Sequence, residues 1–401
     1  MGDRDHRTAR SRAGAEAAGA SRGAVGDEVR PAGRPRQASQ RVVDSRSPID
    51  ASLQDDWAFV KESLGAVSRT FARPIALLPP KLEVAVSLGY LLCRVADTIE
   101  DHEAVDPAVR DELFGIFLGV LERGRAARDF SDAFCTLVPA EPDDAELLLA
   151  RSLPRVIRLF AAQDEPTRAS CTTWVCEMAR GMSLYGHRQP GRDGVVALHT
   201  VADLERYCYY VAGTVGHLLT DLFIDAMGED PNGAVALALR DHAENFATGL
   251  QLTNILKDVT DDLARGVSFV PRSECLRQGL SVASLSDARV RERAHAAAAP
   301  IFDLARARLD SALEYSLAIP REQLQIRTFC LLPLFMAGRT LALARGNDAM
   351  FVSGAPVKIA REEVEALIAQ CLTLASDDGA LRGLYAGLFE ARVMFARRLG
   401  I

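Results

Sequence analysis

The stretch 251–265, QLTNILKDVTDDLAR, limits what this chain can fold into more than any other. Read as a helix, it puts Gln251, Asn254, Asp258, Asp262 and Arg265 on one stripe, because residues three and four apart lie above one another. Leu252, Ile255, Leu256, Val259 and Leu263 occupy the remaining faces and call for burial against neighbouring helices. A polar stripe flanked in this way borders a cavity inside a helical protein rather than a plain solvent face. Asp258 and Asp262 repel by about a few tenths of a kcal/mol when nothing bridges them. The pattern therefore asks for a cation.

Residues 90–101 repeat the arrangement. Tyr90, Arg94, Asp97 and Asp101 follow the same three-and-four spacing, with Glu100 beside them and Leu91, Leu92, Val95 and Ile99 as apolar flanks. Two helices, each with a pair of aspartates one turn apart, can face across a bundle and form a carboxylate-lined mouth. Hard divalent ions suit such oxygen ligands, and Mg²⁺ usually completes its octahedron with water and substrate phosphate, so the arrangement predicts a phosphorylated substrate. One acid pair is commonplace on a solvated helix face. Two pairs, each with a basic residue within a turn (Arg94, Lys257), are a stronger signal.

The rest of the chain supplies the setting. A formal charge of −7 and a pI near 5.6 argue against nucleic-acid binding, which leaves a basic footprint. None of the eight cysteines forms a C-x-x-C pair, and they read as reduced core residues of a cytosolic protein. The apolar run 328–344 is broken by Pro333, Gly338 and Arg339 and reads as a buried helix rather than a membrane span. Residues 1–48 are rich in Arg, Ala, Gly and Ser, lack apolar periodicity and are expected to be a disordered extension. Asp3, Asp5, Glu16, Asp27 and Glu28 weigh against reading them as an organellar transit peptide.

From Asp50 onward nearly every segment reads helical: a helix capped by Asp50 or Ser52, then 81–103, 106–121, 143–162, 166–185, 201–227, 232–265, 284–316, 321–344 and two final helices from Ala360 and Asp378. Residues 186–200 read as a loop and 266–271 as a break. No G-x-G-x-x-G follows a strand pattern, which excludes a dinucleotide-binding α/β domain. A single all-α domain over 49–401 is the economical reading.

Two further stretches stand out. In 67–71, Ser68, Arg69 and Thr70 place two hydroxyls and a guanidinium before a proline-bounded turn; this suits phosphate recognition, and a helix end with an ordinary surface arginine reads the same way. In 207–216, Gly213 and Gly216 imply close approach by another backbone or a ligand, and tight core packing satisfies them equally. Tyr207, Val211 and Thr214 share one face there, a phenol among apolar groups.

Taken together, SRTF at 68–71, YLLCRVADTIED at 90–101, EMARGM at 177–182, YCYYVAGTVG at 207–216 and QLTNILKDVTDD at 251–262 resemble the squalene and phytoene synthase family from about residue 60 to about 345. The D-T-I-E-D and Y-C-x-Y-V-A-G forms look more like the squalene branch. The resemblance implies the all-α isoprenoid synthase fold and head-to-head condensation of two prenyl diphosphates, farnesyl diphosphate for that branch, through presqualene diphosphate. It implies Mg²⁺, with Mn²⁺ as an alternative, on Asp97, Asp101, Asp258 and Asp262, and reduction by NADPH at residues the sequence does not mark. Ser68, Arg69, Arg94 and Lys257 take diphosphate contacts by the same analogy. Tyr90 lines that site with Gln251, Asn254 and Arg265, and Tyr207 lies near the reacting carbons as proton acceptor or cation stabiliser. Departures exist: relatives often carry arginine in place of Lys257, and many have a basic residue where this chain has Val267; either Arg265, on the aspartate face, compensates for that loss or phosphate binding is weaker. The ending Arg397-Arg398-Leu399-Gly400-Ile401 lacks the hydrophobic anchor of eukaryotic squalene synthases. It implies a cytoplasmic protein that meets the membrane only peripherally, without a transmembrane anchor. Phytoene or dehydrosqualene synthase and presqualene diphosphate synthase, neither using NADPH, are the rival activities; a non-catalytic helical scaffold is the rival from another class.

Overall fold

Apolar residues at helical spacing dominate the chain, and in the computed structural model they form a helical bundle. The structure describes residues 49–68, 71–141, 143–355 and 357–390. The extension over 1–48, Arg69 and the residues ending the chain at 397–401 lie outside the described residues.

Asp50 accepts the backbone N–H of Ser52, and a short 3₁₀ turn leads into α1 (Gln54–Val67). After α2 (Ala72–Ile75), Pro80 starts α3 (Pro80–Asp101), where a missing N–H costs nothing. The chain continues through α4 (Arg110–Arg123), α5 (Ala127–Leu137), α6 (Ala145–Arg151), α7 (Leu153–Ala161) and α8 (Glu165–Gly186). A capping box on Thr200 and Asp203 opens α9 (Val201–Cys208), and Tyr209–Gly213 is a π turn before α10 (Thr214–Met227). The second acidic stretch lies on α11 (Ala234–Lys257) and α12 (Val259–Ala264). Then follow α13 (Arg272–Arg277), α14 (Arg291–Ala318), α15 (Leu324–Ala344), α16 (Arg361–Leu374) and α17 (Asp378–Gly387). Among the described residues the only strands are β1 (Val196–Ala197) and β2 (Val267–Ser268), paired in parallel.

Helix α11 is the axis of the bundle, packed against α10, α14 and α15, while α3 packs against α1, α8 and α10. Leu88, Leu91, Leu92 and Val95 of α3 and Leu256 of α11 are fully buried. Helix α15 is long and apolar enough to cross a membrane, but it lies inside the bundle with most of its residues buried. The cysteines are unbonded; Cys135 is exposed and the other seven are buried.

The expected helices differ from the observed ones where local chemistry intervenes. The 143–162 segment breaks at Ser152, because Pro154 lacks an N–H and its ring crowds the preceding turn. The 284–316 helix begins only at Arg291, after two separate 3₁₀ turns. The 232–265 helix breaks at Asp258 (φ −104°, ψ 16°), at the head of an Asp-Val-Thr run of weak helix formers. Helical turn geometry still continues across it, the Asp262 N–H donating to the Asp258 carbonyl at 2.9 Å. The π turn adds a residue to the face on which Tyr207, Val211 and Thr214 were expected to align, and it separates them.

Gly216 meets the backbone of α11: a Cβ there would collide with the Ala243 carbonyl oxygen. Close backbone approach, not a ligand, accounts for this glycine. Gly216→Ala is expected to destabilise the fold by about 1–3 kcal/mol, the usual range for overpacking, read as a lowered denaturation midpoint. A variant as stable as the parent contradicts the contact.

Candidate active site

An apolar cavity of about 240 Å³ runs between α3, α10, α11 and α15, lined by Val86, Val215, Leu218, Leu222, Phe246 and Phe329 among others. Its polar end carries Tyr90, Arg94, Asp97, Gln251 and Asn254. An adjoining hollow of about 450 Å³ shares Phe71, Tyr90, Arg94, Leu250 and Asn254 with it, and adds Ser68, Lys257 and Asp258. The two spaces form a greasy interior with a charged mouth. That geometry follows from the sequence: the stripes of α3 and α11 turn their polar residues to one end, while their flanks pack into the bundle.

Within the mouth, Arg94 is a hub. Its Nη1 lies 3.6 Å from Asp97 and 3.5 Å from Glu146, and its Nη2 donates to the Tyr90 hydroxyl at 3.3 Å. Lys257 Nζ is 2.9 Å from Asp258. Arg265 spans the two acidic motifs, with Nη2 2.7 Å from Asp262 and Nη1 3.5 Å from Asp101. Ser68 is buried and accepts the Phe71 N–H at 3.1 Å, tying the start of α2 to the hollow.

Charge here is poorly compensated. Burial first, then Asp101 and Glu146, pushes the Asp97 carboxyl up to about 7 against the pull of Arg94. Its partial exposure opens into the cavity. Burial, then Asp97 and Asp101, pushes Glu100 up to about 8. Burial likewise lifts Asp262 to about 6, although Arg265 opposes it.

Tyr207 stands elsewhere than expected. It does not line the apolar cavity; Phe269 stacks on its ring (centroids 4.9 Å, 24°), Tyr185 meets it edge-on at 5.3 Å, and the Arg188 guanidinium lies over it at 5.4 Å. The π turn shifts it out of the Val211 register, and the parallel pairing of β1 with β2 brings the Phe269 segment alongside. Burial, then Glu100, raises its phenol well above the usual range.

Sequence reasoning missed Glu146, Arg188 and Phe269. Glu146 sits on a short helix with no motif of its own. Arg188 follows α8 in what reads as a loop; its Nε donates to the Tyr185 carbonyl, and its Nη1 is buried without a hydrogen-bond partner among the described residues. An arginine three residues after Tyr185 is the only available hint.

The fit to a divalent ion rests on donor chemistry. Among the described residues no three acidic, histidine or cysteine side chains converge closely enough to hold a metal by themselves. The four aspartates nonetheless offer oxygen only, burial makes Asp97 and Asp262 costly to ionise without a cation, and the Arg265 guanidinium already bridges Asp101 and Asp262 as a cation would. The set fits an ion that takes its remaining ligands from water and substrate.

A sequence profile described as squalene/phytoene synthase matches residues 64–363. The chain belongs to the squalene/phytoene synthase family. That family is of the prenyltransferase type, and the chain is 31% identical to the squalene synthase of Eremothecium gossypii over 74% of its own length and 64% of that protein's. Squalene synthase BSS of Botryococcus braunii is 29% identical over 77% of this chain, which spans 63% of it. The fold matches that of TcSQS in complex with the ligand E5700, at TM-score 0.69 and 23% identity, covering 86% of this chain and 95% of the other. This family membership accounts for the all-α architecture around a central cavity.

The raised carboxyls give a pH dependence of stability with a definite sign. A folded-state pKa above the ordinary carboxylate value means that the folded form holds protons the unfolded chain releases. The corresponding stabilisation is full below about pH 4 and is lost as pH rises through the folded values of about 6 to about 8. Without divalent cations the melting temperature should fall from about pH 6 to about pH 8.5, and Asp97→Asn should flatten that slope. Parallel pH profiles for parent and variant contradict the assignment.

Proposed function

We propose that this chain condenses two molecules of farnesyl diphosphate head to head, through presqualene diphosphate, and reduces the product to squalene with NADPH. The observation that carries this reading is an apolar cavity whose mouth joins two distant acidic motifs, Asp97/Asp101 and Asp258/Asp262, in a chain of this family.

An allylic diphosphate ionises only where the departing charge is met, and that charge is the largest to develop. Asp97, Asp101, Asp258 and Asp262 would hold Mg²⁺ or Mn²⁺, which when bound supplies Lewis-acid stabilisation of the diphosphate. Arg94, Lys257 and Arg265 add cationic donors at the mouth, with Ser68, Tyr90, Gln251 and Asn254 as neutral ones. Arg69 takes the same role on its motif alone. The farnesyl chain occupies the apolar cavity, whose walls keep water from quenching the allylic cation. With Phe269 stacked on its ring and a guanidinium over it, Tyr207 is better suited to act through its hydroxyl, in the proton loss that yields presqualene diphosphate, than through its π face. NADPH when bound supplies the hydride of the second half-reaction; no G-x-G-x-x-G follows either strand, and no residue is assigned to it. Work in the cytoplasm with peripheral membrane contact is part of the same proposal, supported by the apolar nature of the product.

Purified protein incubated with farnesyl diphosphate and Mg²⁺ should give presqualene diphosphate or its unreduced products, and squalene once NADPH is added. A product that NADPH does not change overturns the reduction; no product at all overturns the whole reading. Asp97→Asn and Asp258→Asn should each lower turnover by at least about 10²-fold while the fold stays intact.

A further inference from the structure

The bridge made by Arg265 has a consequence for how the site fills. Its guanidinium touches one carboxylate from each motif, Asp101 on α3 and Asp262 on α12. The two acids are unlike: the Asp262 side chain is 7% exposed and that of Asp101 is 56%. The Arg265 side chain is itself 58% exposed, stands at the end of α12 and precedes Gly266, whose φ of +76° turns the chain away. A side chain so placed can swing without moving either helix.

A divalent ion shared between the motifs needs the same carboxylate oxygens that Arg265 now holds. Once released, a guanidinium presents a planar fork that matches diphosphate oxygens, which a lysine cannot do. Lys257, by contrast, pairs with its sequence neighbour Asp258 and bridges nothing.

We propose that Arg265 is a tethered counter-ion that exchanges partners: it holds Asp101 and Asp262 while the site is empty and turns to the diphosphate when that group arrives, so that cation loading depends on diphosphate. This rests on the reading of the site as a metal-dependent prenyl diphosphate site. The coupling is reciprocal, since whatever diphosphate does for the cation the cation must do for diphosphate.

The test measures Mn²⁺ retained by the full chain in equilibrium dialysis, with and without inorganic diphosphate at equal concentration on both sides so that the Mn²⁺–diphosphate complex cancels, and involves no turnover. In the parent, Mn²⁺ alone should bind weakly and diphosphate should tighten it by about tenfold or more. Arg265→Gln should bind Mn²⁺ alone about tenfold more tightly than the parent, and diphosphate should then add little. Arg265→Lys, which keeps the charge but cannot span both acids, should fall between. Lys257→Gln removes the same charge without removing a bridge and should gain less than Arg265→Gln. Mn²⁺ binding that Arg265→Gln leaves unchanged, or that Lys257→Gln raises equally, overturns this inference alone. No Mn²⁺ binding to any of these proteins, with or without diphosphate, overturns the metal-dependent function as well.

Discussion

Carboxylates gathered at the mouth of an apolar cavity repel one another in a medium that screens them poorly, and the rest of the site is arranged around that repulsion. Asp97, Glu100 and Asp262 all hold their protons more tightly than free carboxyls do. The three basic residues answer the charge in different ways. Arg94 is fixed among Asp97, Glu146 and Tyr90, Lys257 stays within its own motif, and Arg265 reaches from one motif to the other. A site that is short of positive charge when empty is one that gains most when cations and a diphosphate enter together.

The bundle supplies the constraint that makes this arrangement hold. Its acids lie on α3 and at the junction of α11 with α12; fully buried leucines anchor α3 and α11, and the backbone contact at Gly216 seats α10 on α11. The break at Asp258 divides the labour of the second motif. Asp258 faces the open hollow beside Lys257, while Asp262 is buried against Arg265. The short pairing of β1 with β2 fastens the loop after α8 to the chain beyond α12, which brings Phe269 and Arg188 onto Tyr207.

Much of this was legible in the residues, because helical periodicity reports which side chains share a face. The acidic stripes, the helix that carries the first of them and the need for close approach at Gly216 could all be read directly. What could not be read depended on departures from ideal helix geometry or on contacts distant in sequence. The π turn at Tyr209–Gly213 moves Tyr207 off the cavity wall, and no local pattern announces it. Glu146 reaches Arg94 only because α6 packs beside α3. Helix α5 escaped because its flanks carry no strong capping signal, Ala126 having no side chain that could cap it.

The central claim is that the two acidic motifs close on one cluster of cations and one diphosphate. Anomalous diffraction from crystals grown with Mn²⁺ and a non-ionisable farnesyl thiodiphosphate tests it most directly. The account predicts Mn²⁺ peaks between Asp97/Asp101 and Asp258/Asp262, with the farnesyl chain running into the cavity beside Phe246 and Leu218. Peaks confined to one motif, or an analogue bound outside the cavity, would contradict it.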